Sequence, residues 1–107
     1  MILSFQTREL LEQCSNLEKA EKWLGPPVAQ FLIATLADIE ALEDVSELMN
    51  FYEIDASAAR DDSLSLPIGP DYRATFAAVG ARLARLGDGS PDWAKVQRLK
   101  LVEILRC

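Results

Sequence analysis

The apolar positions of this chain change rhythm roughly halfway along it. Between Val28 and Leu42 the positions Val28, Phe31, Leu32, Thr35, Leu36, Ile39 and Leu42 follow the i, i+3, i+4, i+7 spacing of one helix face. Pro26-Pro27 open that helix, because proline at the first helical position loses only a donor that has no partner there anyway. Upstream, Leu10, Cys14 and Leu17 share a face, and Thr7 is placed to cap the first turn with Glu9 against the helix dipole. Ser15 and Glu18 fit a capping box, so the helix is expected to break and restart there, carrying Leu17, Ala20, Glu21 and Leu24 to a stop at Gly25. Ile2–Phe5 is a short β-prone run. Val45–Ile54 predicts a helical turn followed by an extended segment, and Asp55–Asp62 a loop.

From Ser63 the period shortens to two. Ser63–Leu66, Tyr72–Val79 and Val96–Leu105 are apolar, β-prone runs separated by Pro/Gly/Asp clusters, which predicts consecutive strands of one antiparallel sheet. Pro67–Asp71 supplies the turn between the first two. Alternation puts Tyr72, Ala74, Phe76 and Ala78 on one face of the middle strand and Arg73, Thr75, Ala77 and Val79 on the other, so Arg73 lies opposite the bulkier face. In the last run Leu99, Leu101, Glu103 and Leu105 alternate with Arg98, Lys100, Val102 and Ile104, so Arg98 and Lys100 share a face. Helices followed by strands predict an α+β fold: N-terminal helices packed on a small antiparallel sheet that Ile2–Phe5 joins. Its 107 residues, half of them hydrophobic, suit a single domain over 1–107.

Charge sharpens this division. Residues 1–59 hold three basic and eleven acidic side chains, residues 60–107 eight basic and six acidic, within a formal net charge of −6. The asymmetry predicts an acidic cover and a more basic working face. Acid at the end of the long helix (Asp38, Glu40, Glu43, Asp44) opposes its dipole, which points to solubility or to a basic partner. The chain contains no histidine, and Cys14 and Cys107 have no metal-ligand spacing, so reduced thiols are expected and neither metal nor cofactor is called for. There is no apolar run of membrane-spanning length, and Met1–Ser4 lacks the basic start and long apolar stretch of a signal peptide. These features favour a cytoplasmic protein without membrane attachment.

Taken in order, Ser4-Phe5-Gln6-Thr7, Leu24-Gly25-Pro26, Leu36-Ala37-Asp38-Ile39, Ser63–Leu66, Tyr72-Arg73 with Phe76, and Asp92–Val96 running on to Leu101-Val102-Glu103-Ile104 resemble the RelE/ParE toxin superfamily, closest to its HigB-like branch. The likeness spans nearly the whole chain. It implies a RelE-like fold with a concave sheet face as the active surface. It also implies the toxin component of a bacterial type II toxin–antitoxin pair, acting as a ribosome-dependent mRNA endoribonuclease that a small helix-turn-helix antitoxin holds inactive; the ParE branch acts on gyrase instead. Cleavage by the ribose 2′-OH needs a cation at the developing phosphate charge and a group that moves the proton. On this resemblance Arg73 is assigned to the scissile phosphate, Glu103 to proton transfer, and Arg60, Arg98 and Lys100 to the RNA backbone. Two alternatives stand beside these assignments. Arg73 could instead pair with Asp71 or a helix carboxylate. HigB-like chains commonly carry Asp-Tyr-His or similar at the last strand, where this chain has Leu105-Arg106-Cys107, which suits a catalytically degenerate binding module that pairs with an antitoxin-like protein or with itself.

Overall fold

The computed structural model describes residues 1–54, 59–60, 62–80, 85–87, 89 and 91–106. Strand β1 (Ile2–Phe5) leads into four helices: α1 (Arg8–Cys14), α2 (Leu17–Leu24), α3 (Pro26–Ala41) and α4 (Val45–Phe51). The strands β2 (Ala59–Arg60), β3 (Ser63–Pro67), β4 (Tyr72–Ala78) and β5 (Arg98–Arg106) follow, with a 3-10 turn at Trp93–Lys95 before β5. The sheet order is β1-β5-β4-β3-β2. The architecture is therefore α+β, as its sequence pattern predicts.

Local chemistry explains the helix boundaries. The Thr7 hydroxyl accepts the Leu10 N–H at 3.1 Å and starts α1. The restart falls one residue later than the capping-box expectation. Asn16, not Ser15, caps α2, its side-chain oxygen accepting from the N–H groups of Glu18 and Lys19, while Ser15 closes α1 by donating to the Glu12 carbonyl. An N-cap residue takes an extended backbone, which Asn16 has (φ −144°, ψ 125°), whereas Ser15 is still helical (φ −82°, ψ −10°) as the C-cap of α1. Gly25, at φ +87°, makes the sharp corner between α2 and α3, a backbone conformation that disfavours any side chain. Asp44 caps α4 by accepting from Glu47, so one carboxylate from the acidic end of α3 has a structural use. Tyr52 gives another a partner by donating from its hydroxyl to Asp38 at 2.7 Å. Burial raises the Tyr52 pKa, and its bond to Asp38 raises it further.

Two expectations about the sheet need correction. The sheet is mixed, because β1 runs parallel to β5 with Leu3 beside Leu99 and Phe5 beside Leu101. Only the β2–β3, β3–β4 and β4–β5 pairs are antiparallel. A parallel neighbour is reached through a long crossover, and the helical layer between β1 and the rest of the sheet provides one. The second correction is in β5, where the simple alternation fails. The register against β4 shifts between Thr75 and Phe76: Phe76 faces Leu101, but Thr75 faces Glu103. Val102 is thus the extra residue of a β-bulge. Beyond it, Ile104 moves to the inward face opposite Ala74, while Glu103 and Leu105 move to the face that carries Arg98 and Lys100. The expected loop at 55–62 contributes the short β2, and residues 55–58 and 61 lie outside the described set.

All four helices lie on one side of this sheet. Leu24, Leu32, Leu36, Ile39, Val45 and Leu48 from the helical layer form one apolar core with Leu64, Leu66, Ala74, Phe76, Leu99 and Leu101 from the strands. Val45 also donates its backbone N–H to the Val96 carbonyl at 3.0 Å, tying α4 to the approach to β5. Ile68, in the β3–β4 turn, is fully buried as well. That turn is closed by the Ile68 N–H on the Tyr72 carbonyl and uses Gly69 at φ +110°. Trp23 and Trp93 are half-buried against the core. Cys14 is a buried free thiol whose pKa burial pushes up to about 11, while Cys107 lies outside the described residues. No helix among the described residues is long and apolar enough to cross a membrane.

Phe76 is the largest of the fully buried side chains. Phe76→Ala should lower the unfolding free energy by about 3–5 kcal/mol, a large share of the roughly 5–15 kcal/mol available to a small domain. Urea denaturation checks this, and a loss below about 1 kcal/mol would show that the core closes elsewhere. The Cys14 thiol should stay unmodified by a thiol reagent at pH 8 in a Cys107→Ser background until the chain unfolds, because both burial and its raised pKa withhold the thiolate. Rapid labelling of the folded chain would contradict the packing of α1.

Candidate functional site

The face of the sheet turned away from the helices is assembled from alternate residues of its strands. Ile2 and Ser4 come from β1, Arg98, Lys100, Glu103 and Leu105 from β5, Arg73, Thr75 and Ala77 from β4, and Ser63, Ser65 and Pro67 from β3. Every one of these is exposed or half-buried, in contrast to Leu64, Leu66, Ala74, Phe76, Leu99 and Leu101, which are buried on the inward face. A sheet with one wet face is the usual antiparallel arrangement. What distinguishes this one, among the described side chains of its strands, is three cations against a single carboxylate, Arg73, Arg98 and Lys100 against Glu103, in a chain whose formal net charge is −6.

Arg73 is held in place by β3. Its Nε donates to the Ser65 hydroxyl at 2.9 Å and one terminal nitrogen donates to the Ser65 carbonyl at 3.2 Å. The contemplated ion pair with Asp71 or a helix carboxylate is therefore replaced by a neutral anchor. This matters electrostatically, because the guanidinium keeps its full charge for a ligand, and its remaining N–H donors stay open to one. Ser65 faces Thr75 and Thr75 faces Glu103, so these three form a row across β3, β4 and β5 into which Arg73 leans from one side.

The bulge brings Glu103 into this row. Arg73 faces Leu105, which makes Glu103 its diagonal neighbour, at a Cα separation of about 7–8 Å. A carboxylate at that distance can take a proton from a group bound at the guanidinium. Lys100 is farther away: it faces Ala77, four strand positions from Arg73, or about 13 Å along the sheet. Arg98 lies beyond it, near Val79, whose N–H bonds the Arg98 carbonyl. The structure thus brings Arg73 and Glu103 together and strings Lys100 and Arg98 out along β5. A single phosphate cannot reach all three cations, whereas an extended polyanion can. Arg60, in β2, pairs through its backbone with Ser63 of β3, and its side chain lies outside the described residues. Tyr72 points to the inward, half-buried side and is not part of the site.

Two contributors escaped the sequence pattern. The alternation of Ser63–Leu66 puts Ser65 on a strand, but its role depends on which residue of β4 leans across to it, and spacing within a strand does not encode that. The other is a clasp at the far end of the face. Both terminal nitrogens of Arg85 donate to the carboxylate of Asp62 at 3.0 Å, and Arg85 also bonds the Gly89 carbonyl. Asp62 in turn accepts the Ala78 N–H on its backbone carbonyl at 2.8 Å. Bidentate pairing of this kind fixes geometry as well as charge. Between helix and sheet, a shallow groove of about 290 Å³ lies along the end of β5 that outruns β1, lined by Thr7, Leu10 and Trp23 on one wall and Val102–Ile104 on the other. No group of His, Cys, Asp or Glu among the described residues is arranged to hold a metal ion.

The Arg85 hydrogen bond, with its Coulombic attraction, holds the Asp62 carboxyl below the usual 3.8. A carboxyl depressed in the folded state contributes stability that is present above its unfolded pKa and is lost as pH falls through the folded value. Asp62→Asn should therefore be less stable than the parent chain at pH 6, and the difference should begin to shrink near about pH 4 and vanish once the pH has fallen through the depressed folded value. Urea midpoints across that range test it, and a difference independent of pH would mean that the clasp acts through shape alone.

Comparison of the chain with protein-family models, with curated proteins and with solved structures yields no match, so the site is interpreted from its own geometry.

Proposed function

We propose that this chain is a toxin-like component of a bacterial type II toxin–antitoxin pair that cleaves mRNA on the ribosome, with the open sheet face as its RNA-binding surface. The observation that carries this reading is the juxtaposition of Arg73, anchored by Ser65, with Glu103 on a face otherwise lined by Arg98 and Lys100. In this scheme Lys100 and Arg98 bind successive parts of the RNA backbone. Arg73 donates to the non-bridging oxygens of the phosphate under attack, where negative charge builds in the transition state. Glu103 accepts the proton from the ribose 2′-OH as its oxygen bonds to phosphorus, and the 5′-oxygen of the next nucleotide leaves with a proton from water. No histidine is available for either transfer. The expected partner is a small helix-turn-helix antitoxin that covers the cationic face.

A second reading has its own support. The face offers a carboxylate as its single proton-transfer group, and the chain as a whole is acidic, which suits a catalytically degenerate module that retains the surface for binding. Induced expression separates the two. The nuclease reading predicts growth arrest with mRNA cleavage. Arg73→Ala should reduce that cleavage about 10²–10³-fold and Glu103→Gln by about 10²–10⁴-fold, both at unchanged soluble yield. Lys100→Ala should instead lower the salt dependence of RNA binding by about one unit of slope. Unaffected growth with intact mRNA at good soluble expression would eliminate the nuclease and leave the binding module.

A further inference from the structure

A helix that packs by one face on a core ordinarily turns a polar face to solvent, and α3 does not. Of its sixteen residues, only Gln30, Thr35, Asp38 and Glu40 are polar. Ala29, Leu32, Thr35, Leu36 and Ile39 are buried. The opposite arc carries Phe31, Ala34, Ala37 and Ala41, all exposed, in line with the exposed Gln30, and Phe31 retains 47% of its accessible surface. The apolar surface does not end there. Tyr52 lies on the Asp38 side of this arc through its 2.7 Å hydrogen bond, and Phe51, 59% exposed, meets the Tyr52 ring edge-on at a centroid distance of 5.0 Å. Single exposed apolar residues need no explanation, but three exposed alanines over the second half of α3, edged on one side by Phe31 and the Tyr52–Phe51 pair, make a patch.

The small side chains and the surrounding charge say what fits it. Alanines about one helical turn apart let another helix approach closely, with Phe31 and the Tyr52–Phe51 pair along one edge of the strip. From residue 26 to residue 54 the sequence holds six carboxylates and no lysine or arginine. Glu40 and Glu43 are exposed beside the Ala41 end of the strip and Glu47 and Glu53 are exposed in and just after α4, whereas its Pro26 end carries no charge. A second copy of this chain would bring two such acidic rims together, and like charges oppose that pairing. A helix with an apolar stripe and basic flanks meets both features at once.

We infer that the outer face of α3, with Phe31 and Phe51, is a docking surface for a cationic amphipathic helix of a partner protein, whose basic residues cluster over the Ala41 end. This surface lies on the opposite side of the molecule from Arg73 and does not depend on what the sheet face does. A helix of about 16 residues would match the roughly 24 Å length of α3.

The probe is a fluorescent 16-residue peptide of leucine and lysine with its leucines at helical spacing, measured by anisotropy against an isomer of the same composition in scrambled order. The full-length chain should bind the amphipathic isomer at least about tenfold more tightly than the scrambled one. The double variant Ala34→Gln/Ala41→Gln leaves charge unchanged but fills the strip, and should lose at least about tenfold in affinity. Phe31→Ser and Phe51→Ser should each weaken binding in the same direction, with circular dichroism melts confirming that every variant is folded. Equal binding of both isomers, or unaltered binding by the folded α3 variants, would overturn the inference by reducing the effect to bulk charge. Sedimentation showing a dimer that Ala34→Gln/Ala41→Gln dissociates would overturn it too, by assigning the face to a second copy.

Discussion

Strand β5 is bonded on both sides, parallel to β1 and antiparallel to β4, and the bulge at Val102 lies where the first of those neighbours ends. Up to Leu101 the strand supplies Leu99 and Leu101 to the core. A strand continuing with perfect alternation would then bury Glu103 and expose Ile104. Burying an unpaired carboxylate costs several kcal/mol, so one inserted residue resolves the conflict by exchanging the two faces. The same insertion places Glu103 diagonal to Arg73. The demand for a dry core and the arrangement of the open face are thus satisfied by one local event, and the candidate chemistry rests on it.

The two sides of the sheet also differ electrostatically in a way that net charge conceals. On the helical side, carboxylates lie toward one end of the apolar strip on α3; on the open side, among the described strand residues, three cations share a face with one carboxylate. Screening confines interactions between exposed charges to about 10 Å at ordinary salt, so a ligand at Arg73 senses its own face and hardly senses the acidic helices across the sheet. A formal charge of −6 is consequently compatible with a surface that attracts phosphate. The neutral Ser65 anchor adds to this, since a carboxylate partner would have cancelled much of the Arg73 charge.

The elements that depend on periodicity and punctuation were legible in the sequence. α3 begins at Pro26, Thr7 caps α1, β3 and β4 follow the expected runs, and Arg73 lies on the face opposite Phe76. The misses share a physical origin: each depends on a partner distant in sequence. The parallel pairing of β1 comes from a crossover, the bulge from a mismatch that only the β4 register reveals, and the Arg73–Ser65 bond from how a side chain leans between strands. The shift of the α2 cap from Ser15 to Asn16 is different, a local competition in which Ser15 was already committed to the end of α1. Of the residues singled out in the sequence, Arg73 and Glu103 are diagonal neighbours across β4 and β5, whereas Arg98 and Lys100 lie farther along the face.

That the open sheet face, organised by the bulge, is where this protein meets RNA is tested most directly by titrating the isotope-labelled chain with a short single-stranded oligoribonucleotide and following backbone amide resonances. Shifts concentrated at Ser65, Arg73, Thr75, Lys100 and Glu103, weakening as salt is raised, are the predicted result. Shifts confined to the helical layer, or none at low salt, would contradict it.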